Sequence, residues 1–169
     1  MTLQLDLTRA TALQPDVMAA DDLAGDNPLL AFAGPVAGSH ALLVSGNGPD
    51  LSILIRSGCL AATSLKLGEK ADAGCYDLVL VPHLTSTEGL AQLISQTKRA
   101  LVPTGRVAVC ICGQPVCDIA NRLAHLLEAN GFTAIRTSVI SGRTLMRAEQ
   151  PWFGATFANN SSIVNARHA

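Results

Sequence analysis

Residues able to do chemistry by type and spacing cluster at three places in this chain. The first is a glycine pair. Leu42-Leu43-Val44 runs into Ser45-Gly46-Asn47-Gly48-Pro49-Asp50. Two glycines one residue apart behind an apolar strand let the backbone approach a nucleotide-like ligand, because no Cβ intervenes. A lone Gly-x-Gly is weakly specific, and a tight strand-to-helix turn accounts for it equally well. Gly46, Asn47 and Gly48 are therefore read as a turn, the vestige of a cofactor loop rather than a working one. The second place is Cys110, Cys112 and Cys117, spaced C-x-C-x4-C. Cys110 and Cys112, two apart on an apolar run, face one side of a strand and read as buried small hydrophobes. The third is His83, behind the run YDLVLVP, at the edge where open α/β sheets hold ligands; a plain loop histidine is the simpler reading. Asp77, inside that run, is read as structural. His40, His125 and His168 stand apart from any acid at ligand spacing. Neither a metal site nor a Ser/His/Asp triad is expected, and no catalytic residue is assigned.

Composition narrows the classes. The 169 residues are 49% hydrophobic, 15% charged and 4% aromatic, with mean hydropathy +0.32, as in a compact domain built from small aliphatic side chains. Formal net charge is −1, and no basic run exceeds two residues, which argues against a nucleic-acid or anionic-membrane surface. No apolar segment approaches the ~18 residues needed to span a bilayer, and no secretory leader is visible. Five cysteines, an odd number, read as reduced thiols of a cytoplasmic protein.

The elements that must position these residues alternate. Residues 40–45 read as a buried strand, 50–57 as a helix with Leu51, Leu54 and Ile55 on one face, and 60–67 as a second strand. Residues 76–81 form a third strand ended by Pro82, followed by a helix over 87–101 that Thr87 would cap. Pro103-Thr104-Gly105 turns the chain into a strand over 106–112, and 118–130 is helical with Gly131 as its cap. Strands over 132–139 and 143–148 are joined by Ile140-Ser141-Gly142 as a hairpin. Three segments follow: an extension over 1–40, packing on the domain or partly disordered, with Leu3, Leu5 and Leu7 alternating as a short strand; a domain over 41–150; and a polar exit over 151–169. Trp152 and Phe153 in that exit either dock back on the domain, the reading preferred, or anchor a partner.

YDLVLVPH, a helix, ALVPTGRVAVCI, a helix, LLEANGFTAIR and a final hairpin together resemble the C-terminal half of class I S-adenosylmethionine methyltransferases. The resemblance implies a truncated, Rossmann-like α/β sandwich, mostly parallel with a C-terminal antiparallel hairpin. It places Gly46-Asn47-Gly48 at the cofactor loop. No acid stands on the strand before those glycines, and Pro49 removes a donor. Only about 30 residues separate Ser45 from Tyr76, enough for one helix, one strand and loops at ~1.5 Å and ~3.3 Å per residue. The full catalytic fold places two strands and two helices there.

A shortened domain of this kind resembles the N-terminal domain of the anamorsin family of cytosolic iron–sulfur cluster assembly proteins. Glu149-Gln150-Pro151-Trp152-Phe153-Gly154, then Asn160-Ser161-Ser162, is similar to that family's exit into its linker. The resemblance implies a non-catalytic scaffold or interaction domain, with a diflavin reductase and assembly proteins as partners. Iron–sulfur clusters would be carried outside this chain and no cofactor within it. The alternative is an active S-adenosylmethionine-dependent methyltransferase in which residues 1–40 complete the cofactor site.

Overall fold

The computed structural model describes residues 27–152. Its elements are α1 (Pro28–Ala33), β1 (His40–Val44), α2 (Gly48–Arg56), β2 (Ala61–Leu65), β3 (Tyr76–Leu84), α3 (Leu90–Ala100), β4 (Leu101–Ile111), α4 (Val116–Ala129), β5 (Thr133–Ile140) and β6 (Arg143–Glu149). The six strands form one sheet in the order β2-β1-β3-β4-β6-β5. β1 pairs in parallel with β2 and with β3, and β3 pairs in parallel with β4. β6 lies antiparallel to β4, and β5 antiparallel to β6. This is the methyltransferase-like, Rossmann-type α/β architecture, with its hairpin at the C-terminal end.

Side-chain alternation along the strands builds two cores. Leu42, Val44, Val79, Val81 and Val109 pack beneath α3 and α4, against Leu93, Ile94, Leu123 and Leu127. Leu43, Leu78, Leu80 and Ala108 face the other way, against Leu29 and Leu30 of α1 and Leu54 of α2. Strands buried on both faces need continuous apolar runs, which is what 41–44 and 78–81 supply.

Several local expectations change. In α2 it is Ile53, not Ile55, that packs inward with Leu51 and Leu54; Ile55 is 60% exposed. Pro82 does not end β3, which continues to Leu84 through a register shift between Val81 and Leu84. Pro103-Thr104-Gly105 is an irregularity inside β4 rather than a turn before it: Tyr76 pairs with Leu101 and Leu78 with Arg106. Thr87 does not cap α3, whose N-cap is Gly89. Gln150, the last residue of the expected domain, is buried, and its backbone N–H donates to Gly105 O at 2.8 Å. The described part of the 1–40 extension, read as packing on the domain or partly disordered, packs on it: α1 is held by Arg106, whose Nε donates to Ala33 O at 2.7 Å and whose Nη2 donates to Pro35 O. The strand expected around Leu3, Leu5 and Leu7 lies outside the described residues.

Leu54 is the fully buried side chain of α2, at 1% exposure. Leu54→Ala is expected to cost about 2–5 kcal/mol, while Ile55→Ala stays within about 0.5 kcal/mol. Urea unfolding of the two variants checks the difference.

Candidate functional site at the carboxyl edge of β1 and β3

From β1 the chain grows outward to β2 and then returns to the other side of β1 as β3. The crevice where sheet growth reverses is where open α/β sheets hold ligands. Here it contains a cleft of about 230 Å³. Val44, Val81, Leu84 and Leu93, with Leu67 from beyond β2, give it apolar walls. Ser45, His83, Thr85, Ser86 and Glu88 bring polar groups into it.

The turn after β1 is tightly built. Ser45 is left-handed, with φ 55°, an uncommon state for a residue with a side chain and one that recurs at functional sites. Its amide donates to Leu65 O at 2.8 Å, tying the turn to the end of β2. Gly46 lies directly over buried Leu43: a Cβ there would stand 2.3 Å from Leu43 Cγ and Cδ2. Gly48 has open space around the corresponding position and is the first residue of α2.

The start of α2 is closed by its own side chains. Asn47 Oδ1 accepts from Asp50 N at 3.0 Å, and Asp50 Oδ2 accepts from Asn47 N at 3.1 Å, a reciprocal cap. Pro49 falls in the first turn, where no helical donor is lost. The helix start thus presents a carboxylate rather than a nest of free amides. Asp50 Oδ2 lies 3.8 Å from His83 Nε2, with side-chain exposures of 16% and 48%. That is too long for a hydrogen bond and becomes an ion pair when the imidazole is protonated.

Other expected residues separate. His83 stands on β3 and lines the cleft, so it is not a loop histidine. Asp77 Oδ2 accepts from His40 N at 2.9 Å at the opposite edge of the sheet, a structural role. Glu69, the acid nearest the end of β2, folds back so that Oε2 accepts from Lys66 N at 2.7 Å. It lines a different groove, with Gln92 and Arg99 of α3. Cys110 is buried but Cys112 and Cys117 are exposed, which corrects the expectation that Cys112 is a buried hydrophobe. Trp152 is 65% exposed and does not dock back on the domain; Phe153 lies outside the described residues. Asp50 and Glu88 were missed as site residues. The Asn-x-x-Asp spacing of 47 and 50 is a readable capping signal, whereas nothing local marks Glu88. Among the described residues no group of three or more His, Cys, Asp and Glu is placed to hold a metal, and no helix is long and apolar enough to cross a membrane.

No family model matches the sequence, and no curated protein matches it. Solved structures do. An S-adenosylmethionine-dependent methyltransferase from Mesorhizobium loti superposes with TM-score 0.61 at 12% identity, over 78% of this chain and 100% of that one. The 1,6-didemethyltoxoflavin-N1-methyltransferase of Burkholderia thailandensis, solved with bound S-adenosylhomocysteine, gives 0.57 at 14% identity over 80% of each chain. Geranyl diphosphate C-methyltransferase from Streptomyces coelicolor A3(2) gives 0.56 at 15%, over 75% of this chain and 78% of that one. At such identities the likeness shows the fold. It also overturns the expectation of a non-catalytic domain, which rested on the short interval between β1 and β3. A chain described as a methyltransferase is matched over its whole length by this compact architecture. None of these three neighbours is described in iron–sulfur assembly.

The two glycines separate by experiment. Gly46→Ala is expected to destabilise by about 1–3 kcal/mol through overpacking on Leu43. Gly48→Ala, in open space at a helical position, is expected to be neutral or to stabilise by up to about 1 kcal/mol. Chemical denaturation of both variants reads the contrast.

Proposed function

We propose that this domain binds S-adenosylmethionine in the cleft at the carboxyl edge of β1 and β3 and acts in methyl transfer. The observation that carries the reading is electrostatic. Glu88 lines the cleft, Asp50 stands behind its His83 at 3.8 Å, and the helix start that would greet a phosphate already carries the Asp50 carboxylate. An anionic ligand is disfavoured there, and a ligand bearing sulfonium and ammonium charge is favoured. The residues fit such a group: hydroxyls of Ser45, Thr85 and Ser86 beside apolar walls suit a nucleoside-like body. At about 230 Å³ the cleft is smaller than the ~300–1,000 Å³ usual for such ligands, so it encloses part of the molecule. Glu88 offers its carboxylate to the cleft, whereas Glu69, the acid nearest the end of β2, is turned into its own loop.

When bound, the cofactor supplies an electrophilic methyl group. The chain's own contribution is to bind, to orient and to accept a proton. Leu67, Leu84 and Leu93 exclude water from the apolar side. Ser45 and Thr85 offer hydroxyls to a polar edge, and Glu88 accepts hydrogen bonds. His83, beside Asp50, is placed to take a proton from an attacking group, with the carboxylate stabilising the resulting imidazolium. We assign the domain to the cytoplasm, a reading supported by five cysteines that form no disulfide.

Calorimetric and thermal-shift titration with S-adenosylmethionine and S-adenosylhomocysteine tests the reading. At ~100-fold over its dissociation constant, either ligand should add about 2.7 kcal/mol of stability, whereas ATP and NAD should add none. Glu88→Gln should weaken binding about tenfold or more, as loss of a charged hydrogen bond worth ~1.5–3 kcal/mol implies. No shift with either ligand at millimolar concentration, or a larger shift with the phosphate-bearing nucleotides, overturns it.

A further inference from the structure

The cysteines supply an observation that the cleft does not use. Cys110 Sγ and Cys112 Sγ lie 3.6 Å apart at the end of β4. Residues two apart on a strand point to the same face, and here both thiols have turned toward each other. Their environments differ sharply. Cys110 is 2% exposed, packed in the core with Leu80 and Leu145, while Cys112 is open to solvent. Among the described residues, which include all five cysteines, this is the one sulfur–sulfur contact. Cys59 bonds toward Val36 O and Cys75 toward Ala73 O.

We propose that Cys110 and Cys112 form a thiol–disulfide exchange site, in which Cys112 attacks a small disulfide and Cys110 resolves the adduct. The electrons balance without metal or cofactor. The Cys112 thiolate displaces one thiol from an incoming disulfide, and the departing sulfur takes up a proton. Cys110 then gives up its proton and attacks Cys112 Sγ, expelling the second thiol. Two protein thiols are oxidised to one disulfide, and one external disulfide is reduced to two thiols.

The division of labour follows from exposure. Only Cys112 can meet an external disulfide. Burial, and next the hydrogen bond with Cys112, push the Cys110 thiol up to about 11, which keeps it from reacting first. Once Cys112 carries an adduct, Cys110 already stands in contact with the sulfur it must attack, and proximity compensates for its low ionisation. Closure draws the sulfurs from 3.6 Å to about 2.05 Å. The backbone that must adjust is 110–113, where Cys112 N and Gly113 N both donate to Leu84 O, at 2.8 and 3.1 Å. Leu84 is a wall of the cleft. Gly113 presses so closely on the next residue that a Cβ there would lie 1.8 Å from Thr85 O. Oxidation is thereby coupled to the wall of the ligand site, although the exchange reaction itself does not depend on the methyl-transfer reading.

The test incubates the reduced full chain with glutathione disulfide under native conditions, then blocks free thiols and maps the peptides. The expected product is lighter by two hydrogens, holds a Cys110–Cys112 bond, and is restored by dithiothreitol. Cys110→Ala should stop at a lasting glutathione adduct on Cys112. Cys112→Ser, an exposed change that leaves the core intact, should lose the reaction at Cys110 altogether and keeps the test valid should Cys110→Ala fail to fold. The proposal is overturned by a wild-type protein that keeps both thiols free while Cys75 or Cys117 reacts. It is equally overturned by an adduct on Cys112 that never closes, or by bonds formed only between chains.

Discussion

The parallel ladder between β1 and β3 is the constraint from which the rest of the molecule follows. Ala41, Leu42 and Leu43 register with Leu78, Val79 and Leu80, and all six side chains are essentially inaccessible. A strand pair buried on both faces cannot slip by one residue without turning every side chain into the wrong core. Its carboxyl edge is therefore a fixed platform, and whatever leaves it does so from defined positions. Ser45 and Gly46 leave from one strand, and Thr85 leaves from the other just past His83. Because the chain returns across β1 to build β3, both exits open on the same crevice, and no neighbouring crossover fills it.

What stands in that crevice is decided by how α2 begins. A helix start exposes amides that attract anions. Here Asn47 and Asp50 satisfy each other and put a carboxylate at that place. The local benefit is a stable helix terminus, worth ~0.5–2 kcal/mol for the cap. The consequence for the site is a reversed preference in charge. The same two residues that stabilise the turn remove it from the class of phosphate loops, and Asp50 reaches His83 across the crevice. Helix stability and the charge presented beside the crevice are thus set by one pair of side chains.

The order of elements was legible in the sequence because the strands carry continuous apolar runs and α3 and α4 carry a clean helical stripe. Leu90, Leu93, Ile94 and Thr97, like Ile119, Leu123 and Leu127, are buried where periodicity places them. The failures have physical causes. Pro82 sits at a register shift, where its missing amide costs β3 no ladder bond, so a breaker was absorbed rather than obeyed. Thr104 takes φ 71° inside β4, and a turn signal became an irregularity because the strand is paired on both sides. α1 was unreadable because six residues carry too little periodicity, and its anchor, Arg106, is remote in sequence. Of the site, the Gly46 turn and His83 were visible as residue types. Glu88 was not, since its membership depends on the path of the loop between β3 and α3.

The short interval between β1 and β3 carried the strongest expectation, and the fold shows why a count of residues was a poor guide to the crevice. An additional αβ unit beyond β2, at the sheet's edge, would have two strands between it and β3. The crevice is formed by β1, β3 and the turns that leave them, none of which that unit contributes. Its loss removes an outer wall, and in this chain Leu67 from the β2 exit lines that side. Glu69, the acid nearest the end of β2, caps its own loop through Lys66 N and does not enter the crevice. Glu88 enters the crevice from β3's side instead. The ligand proposed for this crevice would rest on fewer enclosing elements and keep more of its surface in water. Its affinity then depends on charge and on the rigidity of the Gly46 turn more than on buried area, because area converts poorly into binding where enclosure is partial.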